Sequence, residues 1–188
     1  MPMTIRPAEL RDLEAIAAIA NAAVEGGVAH FGTEPSPVAE FEAEWAGGRS
    51  GYPWFVAADE GGAVLGYAKA GPWKSRGAYR WTTEIGVYIR DDARGRGIGR
   101  ALYERLFPEL ERRGYRTVIA GMTMPNDASQ RLHESMGMAH VGVFPRNGFK
   151  HGAWHDVAYY VLNFGSAEDA PDAARSPGAG AADPLPHQ

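Results

Sequence analysis

Glu84-Ile85-Gly86-Val87-Tyr88-Ile89, followed after four residues by Arg94-Gly95-Arg96-Gly97-Ile98-Gly99-Arg100, is a strand-like run that ends in a glycine-rich turn and opens a helix-like one. That layout suits a phosphate cradle. Glycine takes turn geometry without a Cβ penalty, so neighbouring N–H groups can converge on one ligand. The start of a helix adds unpaired donors and the positive end of its dipole, and three arginines supply charge suited to a diphosphate. Spacing removes two common phosphate binders. In G-x-G-x-x-G the third glycine would fall on Arg100 or Leu102, and the chain has no Gly-Lys-Ser/Thr tripeptide. What remains is R-x-x-G-x-G.

Outward from this loop the pattern is one of alternating strands and helices. Residues 3–7 read as a short strand, and Leu10, Leu13, Ile16, Ile19, Ala20 and Ala23 then recur at helical spacing until Gly26-Gly27. A weaker helix is expected from about Pro37 to Trp45. Trp54–Ala58 and Val64–Ala68 flank a turn-rich Asp59-Glu60-Gly61-Gly62-Ala63, which predicts a hairpin, with a third strand at about Trp81–Ile89. After the loop, Ile98, Leu102, Leu106 and Leu110 line one helix face, which Pro108 is expected to kink or shorten. A strand at Thr117–Met122, a helix at Asp127–Met136 and strands near 139–144 and 154–163 complete the order βααβββαβαββ. Hairpin pairs plus one strand–helix–strand crossover define an α/β fold whose mixed, mostly antiparallel sheet is flanked by helices.

The chain has 188 residues, 45% of them hydrophobic and 22% charged, enough for one well-buried domain and too few for two ordinary ones. A net charge of −4 argues against a general nucleic-acid or membrane-surface binder, so neither partner is expected. With no cysteine there is no disulfide framework, thiolate metal site or cysteine nucleophile. The first residues lack a signal-peptide core and no apolar run is long enough to span a membrane, so the expectation is a cytoplasmic protein. Residues 1–164 are expected to form the domain. Residues 165–188, rich in Ala, Gly and Pro, are expected to be a flexible tail.

The R-x-x-G-x-G loop resembles the coenzyme A pyrophosphate loop of the GCN5-related N-acetyltransferases, whose element order is the one above. Five further blocks narrow the resemblance: His30–Pro35, Tyr52-Pro53-Trp54, Ala70–Tyr79, Pro125–Glu134 and Gly148–Val157 together with the loop resemble phosphinothricin and methionine sulfoximine acetyltransferases over about Thr4 to Phe164. The resemblance implies acetyl transfer from acetyl-CoA to the amine of a small acidic amino acid or analogue. It also implies a homodimer.

An α-amino group with a pKa of about 8 is mostly protonated at pH 7, so attack on a thioester benefits from a base. Glu84, in a strand with Trp81, Ile85 and Val87, has surroundings that could raise its pKa; a solvent-facing glutamate is the other reading, and the resemblance selects the proton acceptor. For His133 the resemblance implies proton transfer, in a direction left open. Arg94 to Arg100 (Arg94, Gly95, Arg96, Gly97, Ile98, Gly99, Arg100), Val87, Tyr88 and Ile89, and Asn126 and Ser129 are the expected coenzyme contacts, with a backbone N–H near Val87–Ile89 facing the developing oxyanion. Lys74, Arg76 and Tyr79 offer two cations and a hydroxyl for carboxylate or phosphinate oxygens, and Phe31, Tyr88 and Val157 an apolar wall. Gly86 departs from the hydroxyl residue usual in the resistance enzymes, leaving the choice among amino-acid substrates open. His151, His155 and Asp156 lack the glutamate of a zinc-protease motif, since Gly152 follows the first histidine, and no metal is expected. A different amine, or a coenzyme A sensor without turnover, are the competing functions.

Overall fold

A computed structural model describes residues 3–166 together with Glu168, Ala170 and Pro177. The elements follow as β1 (Met3–Pro7), α1 (Leu13–Glu25), α2 (Val38–Gly48), β2 (Trp54–Asp59), β3 (Val64–Pro72), β4 (Thr82–Ile89), α3 (Ile98–Arg112), β5 (Thr117–Thr123), α4 (Asp127–Ser135), β6 (Ala139–Lys150) and β7 (Ala153–Asn163), with three short 3-10 turns between them. This is the expected βααβββαβαββ order. The tail expected from Gly165 onward lies almost wholly outside the described residues. All seven strands form one sheet in the order β1-β2-β3-β4-β5-β7-β6, antiparallel throughout except between β4 and β5.

Strand alternation builds two layers on this sheet. On one face Ala68, Ala70 and Ile85 pack against Leu102, Leu106 and Leu110 of α3. On the other, Val56 and Tyr67 pack against Leu13, Ile16 and Ala20 of α1. The helical spacing of those residues is what lets each helix bury one stripe and leave the rest in water. Pro108 does not shorten α3, contrary to expectation: the helix continues to Arg112 with Pro108 inside it. Pro108 and Glu104, the residue whose carbonyl loses its i+4 donor, both lie on the exposed face, where water can take the vacant acceptor. Leu106, Phe107 and Leu110 anchor the same stretch in the core.

The feature that positions the site is a break in pairing. β4 and β5 pair only between Thr82–Glu84 and Thr117–Ile119. Beyond that point β4 stays with β3 to Ile89, while β5 stays with β7 to Thr123. The sheet therefore opens at Glu84 into a cleft between the C-terminal halves of two parallel strands, and unpaired backbone groups line its edges.

Candidate active site

The loop beyond β4 has the conformation that its glycines allow. Gly95 and Gly97 have φ of +74° and +75°, in the left-handed region, and Gly97 is the N-cap of α3 with no side chain capping the helix. The first-turn N–H groups of this 15-residue helix are left for an anion. Gly99 serves a different need: a Cβ there would lie 3.0 Å from Leu132 Cδ2 of α4, so glycine lets α4 approach. Around this cradle Arg94 pairs with Asp91 at 2.6 Å and Arg100 with Glu104 at 2.8 Å, both on the surface.

A cavity of about 1040 Å³ runs from the cradle into the sheet cleft. Glu84, Val87, Tyr88, Ile89, Arg94, Gly95, Gly97, Ile98, Gly99, Arg100, Asn126, Ser129 and His133 line it. Arg96 does not. Asn126 is the N-cap of α4, its Oδ1 accepting from the Ser129 N–H at 3.1 Å, and the start of that helix lines the cavity. Glu84 stands where β4 and β5 part. Burial raises its pKa above the usual carboxylate value, against the lowering effect of the Lys74 and Lys69 charges. Tyr88, two pleats along the same face, is pushed up to about 12 by burial and then by the Glu84 charge.

His133 is 3% exposed and both its ring nitrogens have partners. Nδ1 donates to the Ser129 carbonyl oxygen at 2.7 Å, which leaves Nε2 to accept from the Tyr103 hydroxyl at 3.3 Å. Burial lowers its pKa, so the neutral imidazole is favoured, with only the Ser129 hydrogen bond acting the other way. Tyr103, fully buried on α3, also lines the cavity, so His133 meets the cavity in company with this hydroxyl. The two rings belong to a column: Phe107 stacks on Tyr103 at 5.0 Å, Tyr103 meets His133 at 5.6 Å, His133 stacks on Tyr160 at 5.6 Å, and Tyr160 meets His140 at 5.2 Å.

The residues expected to hold the second substrate are more dispersed. Lys74, Arg76 and Tyr79 lie on the exposed segment after β3 and do not line the cavity; Lys74 Nζ sits 4.7 Å from the Trp73 ring centre, and Tyr79 is 40% exposed. Phe31 packs on Gly148, where a Cβ would overlap its ring, and near His155 at 6.4 Å. Val157 is buried in β7 opposite Thr123 and Phe144. Of that set only Tyr88 lines the cavity. Two residues that sequence reading did not single out do line it, Lys69 of β3 and Glu44 of α2, joined by hydrogen bonds of 2.6 and 2.8 Å. The signal for Lys69 was its place two residues beyond Tyr67 in a strand with one face turned to the site. His151 and His155 bond to different backbone carbonyls, Gly27 at 3.3 Å and Lys150 at 3.0 Å.

A parallel strand pair that splays beside a left-handed glycine turn and an uncapped helix start fits the acyl-coenzyme A transferase site that the sequence resemblance implies. Comparison with known proteins agrees: the acetyltransferase (GNAT) family profile matches residues 16–138. The phosphinothricin N-acetyltransferase of Streptomyces viridochromogenes is 40% identical over 163 residues, covering 87% of this chain and 88% of that protein. The L-methionine sulfoximine/L-methionine sulfone acetyltransferase of Pseudomonas paraeruginosa is 38% identical, covering 91% of this chain and 100% of that one. Among solved structures, a phosphinothricin acetyltransferase from Sinorhizobium meliloti in complex with acetyl-CoA superposes with a TM-score of 0.87 at 36% identity, over 92% of this chain and 95% of the other. The chain belongs to the GNAT family, and within it to the phosphinothricin/methionine sulfoximine acetyltransferase subfamily. It is an acetyl-CoA-dependent N-acetyltransferase. No helix among the described residues is long and apolar enough to cross a membrane.

Proposed function

We propose that this enzyme acetylates the α-amine of a small acidic amino acid or analogue, of the phosphinothricin and methionine sulfoximine type, by direct attack on acetyl-CoA with Glu84 as the general base. The observation that carries this reading is the Glu84 carboxylate at the parting of β4 and β5, lining the cavity with a pKa raised by burial. A carboxylate tuned upward is a better match for taking a proton from an ammonium group near neutral pH. Glu84 takes that proton, the amine nitrogen bonds to the thioester carbon, and as the C–S bond breaks the nitrogen gives up a second proton, which ends on the departing thiolate. His133 takes part in proton transfer along its hydrogen bond with Tyr103. The glycine turn and its arginines, including Arg96 outside the cavity wall, hold the diphosphate, and the free edge of β4 from Val87 to Ile89 holds the pantetheine arm and faces the oxyanion; Asn126 and Ser129 complete the coenzyme contacts. Lys74, Arg76 and Tyr79 form an outer rim that attracts an anionic substrate, with Phe31, Tyr88 and Val157 as wall.

The reading includes a homodimer in the cytoplasm. Its support is the edge strand β6 and its hairpin with β7, where Val141, Phe144, Phe149 and Trp154 are exposed together. Sedimentation equilibrium is expected to give a dimer mass; a monomer at micromolar concentration overturns this part.

The test of function is thiol release from acetyl-CoA with L-phosphinothricin, L-methionine sulfoximine, spermidine or no amine, comparing wild type with Glu84→Gln. Turnover of an amino-acid substrate should fall about 10²–10⁴-fold in Glu84→Gln, the range for loss of a general base, with the acetyl-CoA KM unchanged. Turnover of spermidine alone would overturn the substrate class, and an undiminished Glu84→Gln rate would overturn the base.

A further inference from the structure

The strand that faces Glu84 carries a cation with no role in the reading so far. Lys69 of β3 lies opposite Gly86 of β4, and Gly71 lies opposite Glu84. Lys69 and Glu84 are therefore diagonal neighbours on one face of the sheet, roughly 7–8 Å apart and somewhat closer at Cβ. Gly86 puts no side chain between them, and a Cβ there would meet only the Tyr88 ring, at 3.3 Å. Lys69 and Glu84 both line the cavity.

We infer that Lys69 is the residue that binds the α-carboxylate of the acceptor, and that Glu44 is the counter-ion it gives up when an amino acid enters. The inference rests on the amino-acid reading of the second substrate given above. In an α-amino acid the nitrogen and the carboxylate oxygens lie about 3 Å apart, from standard bond lengths. A charge-assisted hydrogen bond at each end adds about 2.8 Å. The protein groups that hold both ends thus stand roughly 8–9 Å apart, a spacing that a long lysine and a short glutamate on diagonal positions can set. An amine held by Glu84 and a carboxylate held by Lys69 would place the substrate beside Gly86, against the Tyr88 ring.

Lys74 acts on the Glu84 charge more strongly than Lys69 does, but it does not line the cavity, and the three other cations that do lie away from Glu84. Arg90 bonds to Asp92, Arg94 to Asp91 and Arg100 to Glu104, all toward the loop end. Lys69 instead has Glu44 at 2.6 Å and rests over the Trp54 ring, 4.9 Å from its centre. The Lys69 and Glu44 side chains are 27% and 47% exposed, and ion pairs of that exposure contribute little net stability, so exchanging Glu44 for a ligand carboxylate is inexpensive. The Trp54 ring keeps the ammonium at the cavity whether or not Glu44 holds it.

The experiment measures steady-state kinetics of wild type, Lys69→Met and Lys69→Arg on L-methionine sulfoximine, on L-phosphinothricin, and on the decarboxylated amine of methionine sulfoximine. Wild type should prefer the amino acid over its decarboxylated amine, and Lys69→Met should erase that preference. The amino-acid KM should rise about tenfold to a hundredfold in Lys69→Met, as expected for loss of a hydrogen bond to a charged group, while the KM values for the decarboxylated amine and acetyl-CoA stay within twofold. Lys69→Arg should recover most of the loss. Should Lys69→Met fail to fold, Glu44→Gln decides: freeing Lys69 lowers the amino-acid KM severalfold, and an unchanged or higher value overturns the inference. A folded Lys69→Met with the wild-type amino-acid KM overturns it alone. A wild type inert on every amino acid overturns the functional reading and this inference with it.

Discussion

Replacing Gly97 with alanine isolates the conformational demand of the coenzyme cradle. Gly97 caps α3 at φ +75° and ψ 6°, and a Cβ added there meets no heavy atom within 4 Å. Alanine therefore brings no clash, and its whole penalty is the left-handed backbone, about 1–2 kcal/mol for an L-residue. That free energy has two places to appear. If the turn keeps its shape, α3 loses about that much stability at its start; if the turn relaxes, its N–H groups no longer converge and acetyl-CoA binds about 5- to 30-fold more weakly. Calorimetric titration with acetyl-CoA, run beside urea unfolding, separates the two, and their losses should sum to about 1–2 kcal/mol. Gly97→Asn should recover part of the loss, because asparagine tolerates the left-handed region. Unchanged affinity together with an unchanged unfolding midpoint in Gly97→Ala would refute the reasoning.

Leu102, fully buried between α3 and the sheet, should cost about 2–5 kcal/mol of folding stability when cut to alanine, measured by urea unfolding, and a loss below about 1 kcal/mol would mean that the core collapses around the gap. Glu109 accepts from Arg112 at 2.7 and 2.8 Å and from Arg113 at 2.8 Å, and the Arg112 hydrogen bonds, then those of Arg113, hold its pKa down to about 2 against partial burial. Because the folded value lies below the ordinary 4.5, its contribution is present above that value and is lost as pH falls toward about 2. Glu109→Gln should therefore be less stable at neutral pH and flatter in its acid limb, and a parallel pair of stability–pH curves would contradict this.

Much of the fold could be read from local pattern. The stripe Ile98, Leu102, Leu106, Leu110 became the buried face of α3, and the alternation of β4 put Glu84 and Tyr88 on one side and Ile85 on the other. The glycine turn was legible because positive φ restricts the residue itself, with no reference to distant neighbours. What escaped were relations across the sheet. Lys69 gains its meaning from its register with Gly86, and the partner of His133 is Tyr103, thirty residues away on another helix. Lys74, Arg76 and Tyr79 are close in sequence, yet closeness along a loop does not turn side chains into a cavity. Pro108 misled for a similar reason: the proline rule is local, whereas the helix is held by buried contacts on its other face.

The aromatic column from Phe107 to His140 has a mechanical consequence. With β4 and β5 joined over only three rungs, the two halves of the sheet share a narrow seam, and beyond Glu84 and Ile119 no backbone pairing joins them. The column crosses that seam. It begins on α3, which packs on β2, β3 and β4, and runs through α4 to β7 and β6 on the far side. Where it crosses, the Tyr103 and His133 rings meet tilted at 55° and share a hydrogen bond of 3.3 Å, so buried side-chain contact, in place of backbone pairing, spans the gap between the two halves.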